Sequence, residues 1–319
     1  MTRRAVVRGT GHYLPERIVE NTWFEDRIDT SDEWIRTRTG IERRHFAAEG
    51  ETTSQMAVKA AQSALSRAGM EAAQIDAIIV ATSTPDLTFP SVATMVQSGL
   101  GITNGFAFDV QAVCAGFVFA LANADGLIRS GQAERVLVVG AETFSRILDW
   151  DDRATCVLFG DGAGAVVLEA AEGERGILAS DLNSDGSYRD ILYVDGGVST
   201  TGSSGKLRMQ GNVLFRHAVE KLAETAHSAI DKAGLGTGDV DWLVPHQANA
   251  RIITATAQRM NLAMEKVVLT VADHGNTSAA SIPLALSVAD QAGTFKEGDV
   301  IVTEAIGGGL SWGSVVLRW

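Results

Sequence analysis

Ala61-Gln62-Ser63-Ala64-Leu65-Ser66-Arg67-Ala68-Gly69-Met70 leads on to Ile75-Asp76-Ala77-Ile78-Ile79. At a shift of 165 positions, Ala226-His227-Ser228-Ala229-Ile230-Asp231-Lys232-Ala233-Gly234-Leu235 leads on to Val240-Asp241-Trp242-Leu243-Val244. Six positions are identical between the two stretches: Ala61/Ala226, Ser63/Ser228, Ala64/Ala229, Ala68/Ala233, Gly69/Gly234 and Asp76/Asp241. The same shift aligns Ala120-Leu121 with Ala285-Leu286 and Ala124-Asp125 with Ala289-Asp290. Gly164-Ala165-Val166-Val167-Leu168 then matches Gly313-Ser314-Val315-Val316-Leu317 at a shift of 149, so the first copy carries about 16 extra residues before its last strand. A unit of roughly 150 residues is too long for a solenoid repeat. It implies two similar α/β lobes related by a pseudo-twofold, divided as residues 1–170 and 171–319.

Within each copy the pattern is helix, glycine stop, buried strand. Residues 53–68 read as a helix closed by Gly69, and Ile75 to Ala81 as a strand covered on both faces. A helix over 114–130, a strand over Val136–Val139 and a strand over Val166–Leu168 follow. The second copy predicts helices over 212–233 and 277–291 and strands over 242–244, 300–304 and 314–318. Alternating helices and apolar strands place the sheets between helical layers.

The chain has 319 residues, 45% of them hydrophobic, which suffices for a large core without disulfides. Its formal net charge of −12 disfavours nucleic acid and anionic membrane as partners. The longest near-apolar run, Ala112 to Ala124, has 13 residues, short of the roughly 20 that span a bilayer. Two well-separated cysteines, Cys114 and Cys156, and an N-terminus without an apolar segment fit a reducing, cytoplasmic setting.

Three residues are candidates for chemistry. Cys114, in Val113-Cys114-Ala115-Gly116-Phe117, stands where an apolar segment passes into a helix. A helix N-terminus favours the thiolate, so a lowered thiol pKa is expected there. His246, in Val244-Pro245-His246-Gln247-Ala248-Asn249, stands at the tip of a buried strand, where open α/β sheets bind ligands. The first copy has Ala81 at that place. Asn276, in His274-Gly275-Asn276-Thr277-Ser278-Ala279, suits a helix N-cap, yet it also falls close to the repeat equivalent of Cys114. Gly160-Asp161-Gly162-Ala163-Gly164-Ala165 has the form G-x-G-x-x-A, but a strand follows it, so no dinucleotide site is expected. The amides of Gly307-Gly308-Gly309 are able to approach an oxyanion.

Taken together with Thr30-Ser31-Asp32-Glu33-Trp34-Ile35, Arg38-Thr39-Gly40-Ile41 and Gly307-Gly308-Gly309…Trp312-Gly313, these stretches make the chain similar to the β-ketoacyl-[acyl-carrier-protein] synthase III family over essentially its whole length. The resemblance implies the thiolase fold, a duplicated five-layer αβαβα sandwich. It implies decarboxylative condensation of acetyl-CoA, or another short acyl-CoA, with malonyl-acyl carrier protein through an acyl-cysteine. It also implies a Cys114, His246, Asn276 triad, with the amides of Cys114 and Gly308 as the oxyanion hole and no metal or redox cofactor. By motif match, coenzyme A would meet Thr30, Trp34, Arg38, Arg153, Gly211 and Asn249. The acidic carrier protein would meet the segment Gln247, Ala248, Asn249, Ala250, Arg251 and a basic rim of Arg216, Arg251 and Arg259. Phe89 would reach across a homodimer into the partner's acyl pocket. Ile306 stands where many relatives carry an aromatic residue, so acetyl is the default primer and longer or branched starters stay open.

A degradative thiolase would need a second cysteine between Gly307 and Gly313, and there is none. A hydroxymethylglutaryl-CoA synthase would need a glutamate after Ala81, where the chain reads Thr82-Ser83-Thr84-Pro85-Asp86. An inactive structural subunit would typically lack Cys114.

Overall fold

The computed structural model describes residues 2–319, and its first long helix explains the repeat in physical terms. Thr52 accepts from the Gln55 amide while the Gln55 side chain accepts from the Thr52 amide, a reciprocal cap that opens the helix Thr53–Ala68. Gly69 closes it at φ 64°, in the left-handed region that suits glycine. The buried face includes Thr53, Ala57, Ala60, Ala61, Ala64 and Leu65. The helix Gly211–Lys232 buries the residues 165 positions further on: Ala218, Leu222, Thr225, Ala226, Ala229 and Ile230. The repeat is therefore a repeat of packing positions. Its shared aspartate has the same basis. Asp76 exchanges backbone and side-chain bonds with Arg135, N–H to carbonyl at 2.9 Å and amide to carboxylate at 2.8 Å. Asp241 does the same with Val300, at 3.0 and 2.9 Å.

The two sheets have matching orders. The first runs Arg3–Tyr13, Asp161–Glu172, Arg135–Thr143, Ala77–Ala81, Phe106–Val110. The second runs Gly176–Ser184, Ser311–Arg318, Val300–Gly307, Trp242–Pro245. A parallel bridge from Leu243 to Val267 stands where a fifth strand would lie. Ala77–Ala81 is parallel to both neighbours, as Trp242–Pro245 is to Val300–Gly307, and the remaining pairs are antiparallel.

The helices Gly116–Arg129 and Ser281–Gln291 fill the space between the sheets, and Phe117, Leu121, Ile282 and Leu286 belong to that central core. Each such side chain contributes about 1.5–3 kcal/mol by leaving water. Thr53–Ala68 covers the outer face of the first sheet and Gly211–Lys232 that of the second. The result is the five-layer αβαβα sandwich of the thiolase fold.

Both central helices start later than the sequence predicts. Gly116–Arg129 is preceded by a single 3-10 turn, Val113–Ala115, and Ser281–Gln291 by another, Ser278–Ala280. Val113 and Ser278, equivalent at the 165 shift, both take φ 50°. A non-glycine residue there cannot continue a right-handed helix, so each helix begins only after its turn.

Candidate active site

Cys114 sits on the first of these turns, directly ahead of a central helix. Gly307 makes the fit: a Cβ there would lie 2.7 Å from Cys114 N and 2.5 Å from Ala112 O. Without a side chain, the end of the strand Val300–Gly307 backs onto the amide of the cysteine. The thiol is only 3% exposed.

The expectation of a lowered thiol pKa fails. Burial pushes Cys114 up to about 12, and the nearby Glu142 carboxyl adds to the rise. Hydrogen bonding from the Ser278 hydroxyl and from the Cys114 amide pulls the other way without overcoming it. The turn does stand at a helix N-terminus, but loss of hydration outweighs the helix dipole at a group this enclosed.

His246 follows the strand Trp242–Pro245 at its carboxyl end, and its amide donates to Glu304 O at 2.8 Å. Its Nδ1 lies 2.6 Å from Ser281 Oγ. Ser281 Oγ also accepts from the Gln247 amide at 3.3 Å. With the Ser281 hydroxyl donating to Nδ1, the neutral ring carries its hydrogen on Nε2, as a donor. Burial lowers the imidazole to about 3, which keeps it neutral at physiological pH.

Asn276 does what a cap does and more. Its Oδ1 accepts from the Ser278 amide at 2.9 Å, the bond that holds the second turn. With the oxygen committed to the backbone, Nδ2 remains as a free donor. The main chain is pinned by Asn276 N to Leu158 O at 2.8 Å and Gly160 N to Asn276 O at 2.9 Å.

Cys114, His246 and Asn276 line one cavity of about 360 Å³. Leu192, Leu222, Phe159 and Ile306 form apolar wall around them, and Glu304 lines it too. The Glu304 carboxyl is 1% exposed, has no partner for Oε2, and is pushed far up by burial. At the exposed end stand Trp34, Arg38, Gly211, Asn249 and Arg251. The helix Asp32–Thr39, capped by Ser31, sets Trp34 and Arg38 one turn apart on the same face. The Arg38 and Arg153 guanidinium carbons each lie 4.7 Å from the Trp34 ring centroid. Asn249 caps the helix Ala250–Arg259 by accepting from Arg251 N at 2.8 Å.

Other expected site residues fall elsewhere. Thr30 and Arg153 lie outside the lining of the cavity, although Arg153 reaches it through Trp34. Phe89 is 81% exposed and does not line the cavity of its own chain. A Cβ on Gly308 would meet Leu192 O at 2.5 Å, and one on Gly307 would meet Cys114 N at 2.7 Å, which leaves the Gly308 amide direction open to the oxyanion role. Gln247 is a correction to the carrier-protein segment. It is fully buried, and its amide joins Pro245 O, Val268 O, Thr270 N and Val271 N at 2.8–3.1 Å. It braces the His246 loop from inside and offers nothing to a docking protein. Arg259 faces Glu220 at 3.9 Å, whereas Arg216 and Arg251 are exposed and have no carboxylate within 4.0 Å among the described residues.

Sequence patterns missed Ser281, Ser278 and Glu142. The Asn276-Thr277-Ser278 spacing is the signal of an Asx turn and would have pointed to Ser278. Ser281 and Glu142 carry no local signal.

A thiol at a tight turn, facing an imidazole and a carboxamide across one cavity of a thiolase-type sandwich, defines an acyl-transferring condensing enzyme. The model for 3-oxoacyl-[acyl-carrier-protein] synthase III matches residues 108–186, and that for the C-terminal part of the same enzyme matches residues 230–319. The β-ketoacyl-[acyl-carrier-protein] synthase III of Paracoccus denitrificans is 77% identical, covering 99% of this chain and all of its own, and that of Rhodobacter capsulatus is 77% identical over the full length of both. The crystal structure of the synthase III from Aquifex aeolicus superposes with a TM-score of 0.95 at 47% identity, covering 99% of this chain and 100% of that one. The chain belongs to the β-ketoacyl-[acyl-carrier-protein] synthase III family.

Proposed function

We propose that this enzyme opens fatty acid synthesis by joining an acetyl group from acetyl-CoA to malonyl-acyl carrier protein, giving acetoacetyl-acyl carrier protein, coenzyme A and CO₂. The observation that carries the proposal is the meeting of one thiol with two oriented side-chain donors in a single cavity, Cys114 with His246 Nε2 and Asn276 Nδ2. Cys114 sulfur, once deprotonated, attacks the acetyl thioester and expels coenzyme A. The amides of Cys114 and Gly308 receive the tetrahedral oxyanion. Malonyl-carrier protein then loses CO₂, and the enolate oxygen accepts hydrogen bonds from His246 Nε2 and Asn276 Nδ2. The enolate carbon attacks the acetyl-cysteine, forms the new carbon–carbon bond and releases the Cys114 thiolate. The sequence balances without a metal or a redox cofactor.

Trp34, flanked by two guanidinium groups, suits a flat, electron-rich adenine with phosphates beside it. Arg38, Gly211 and Asn249 line the same entrance, and Thr30 stands just ahead of the Trp34 helix. Arg216 and Arg251, with Ala248, Asn249 and Ala250, make the contact with the acidic carrier protein. That local charge works against a net charge of −12, so association weakens with salt. The partly exposed edge strand Phe106–Val110 and the exposed Phe89 support a homodimer that pairs through this face. Two free thiols fit the cytoplasm. No helix among the described residues is long and apolar enough to cross a membrane.

A steady-state panel of acyl-CoA primers with malonyl-carrier protein tests the proposal. Acetyl-CoA gives the highest kcat/KM, and branched or longer primers fall off as they meet Ile306 and Leu192. Turnover with none of the primers would overturn it.

A further inference from the structure

His246 and Ser281 are the second copy's version of a contact that the first copy also makes. At the 165 shift His246 falls on Ala81 and Ser281 on Gly116. Gly116 opens the helix Gly116–Arg129 and Ser281 opens Ser281–Gln291, so each pair joins a strand tip to the first residue of a central helix. In the first copy the two places touch: a Cβ on Gly116 would lie 3.1 Å from Ala81 Cβ. Both residues there are small and buried. The second copy makes both places polar and links them, with Ser281 Oγ 2.6 Å from His246 Nδ1. The histidine and the serine stand together where the other copy has neither.

The direction of that bond follows from the donors and acceptors at hand. Ser281 is 1% exposed, which leaves its hydroxyl hydrogen to the protein. Among the described residues its oxygen meets two partners, the Gln247 amide, which is a donor, and His246 Nδ1. Nδ1 alone is able to take the hydrogen, and a hydroxyl left undonated at this depth would carry the cost of an unmet buried donor. The opposite tautomer, with its hydrogen on Nδ1, would turn Nε2 into an acceptor, unable to donate to an enolate. Gln247 steadies the serine in turn. Its side chain bonds Pro245 O, Val268 O, Thr270 N and Val271 N, which fixes the residue whose amide reaches Ser281.

We propose that Ser281 is a positioning residue for decarboxylation, holding His246 in the tautomer and the orientation that present Nε2–H to the enolate oxygen. Ser281 acts through the imidazole and lies outside the lining of the cavity. Its role deepens the proposed condensation and rests on His246 as an enolate donor.

Two measurements test this. In protein carrying isotope-labelled histidine, long-range proton–nitrogen spectra distinguish the ring nitrogen that bears the hydrogen from the bare one. Wild type shows His246 protonated on Nε2 and bare on Nδ1. A hydrogen on Nδ1 in the wild type overturns the proposal, whatever any variant does. In Ser281→Ala, Nδ1 loses its donor. Release of CO₂ from malonyl-carrier protein then falls by about 10–100-fold, the consequence of leaving one buried acceptor unmet, while acetylation of Cys114 by acetyl-CoA stays within about twofold of wild type. CO₂ release at the wild-type rate makes the hydroxyl dispensable, and a fall shared equally by acetylation makes its role merely structural; either overturns the proposal. Wild-type protein that is acetylated at Cys114 but releases no CO₂ would overturn the proposed condensation instead.

Discussion

The turn Val113–Ala115 and the turn Ser278–Ala280 are the same piece of backbone made twice. Both follow a residue-for-residue shift of 165, both begin with a non-glycine residue at φ 50°, and both open a central helix. Holding valine or serine in that region costs about 1–3 kcal/mol, which persists because the surrounding packing dictates it. The first turn puts Cys114 on the cavity. The second puts Ala279 at the equivalent position and closes it into the core. In its place the second segment provides Asn276, whose oxygen is committed to the Ser278 amide, and Ser278, whose hydroxyl donates to Glu142. A duplicated scaffold can thus keep its architecture in both halves while dividing the chemistry: the nucleophile from one copy, the donors from the other.

The comparison breaks most visibly at the sulfur. Cys114→Ala should reduce condensation by at least about 10³-fold, measured as acetoacetyl-carrier protein formed. Adding Ala279→Cys to that variant restores nothing, because the mirror turn opens on no cavity. Recovery of turnover would show that the two turns are functionally interchangeable.

Asn276→Ala is the next largest effect. Release of CO₂ from malonyl-carrier protein falls by about 10²–10³-fold, the usual loss for one oxyanion donor, while acetylation of Cys114 continues. Equal losses in both half-reactions would remove the division of labour between the turns.

Gly307→Ala drives a methyl group onto Cys114 N and Ala112 O. It should destabilise the fold by about 1–3 kcal/mol and slow acetylation, read by thermal melting and by adduct formation. The smallest effects sharpen the symmetry itself. Asp76→Asn and Asp241→Asn each weaken a backbone anchor, so each should cost about 0.5–1.5 kcal/mol, Asp76 the more because its carboxylate also accepts from the Glu134 amide at 2.9 Å.

The duplication was readable in the amino-acid order because it repeats what packing demands. Ala61/Ala226, Ala64/Ala229 and Leu65/Ile230 must stay small or apolar to seat a helix on a sheet, and Asp76/Asp241 must hold a strand end. The thiol, imidazole and carboxamide were readable because each stands at a helix or strand boundary with a distinctive neighbourhood. Glu142 was not. It lies at the end of a buried strand, and its partners are 58 to 136 residues away in sequence, so only the folded sheet brings them together. Gln247 misled for the opposite reason. A polar residue in a loop reads as exposed, yet its amide satisfies four backbone groups that would otherwise be orphaned beneath His246. The thiol's ionisation was misjudged because a helix terminus is visible in sequence and the depth of its burial is not.

The most direct test of the central claim is mass spectrometry of the protein after brief exposure to acetyl-CoA, followed by peptide mapping. The account predicts one acetyl group, on the peptide that carries Cys114, discharged when malonyl-carrier protein is added. An acetyl group on Cys156, or one on Cys114 that malonyl-carrier protein leaves in place, would contradict it.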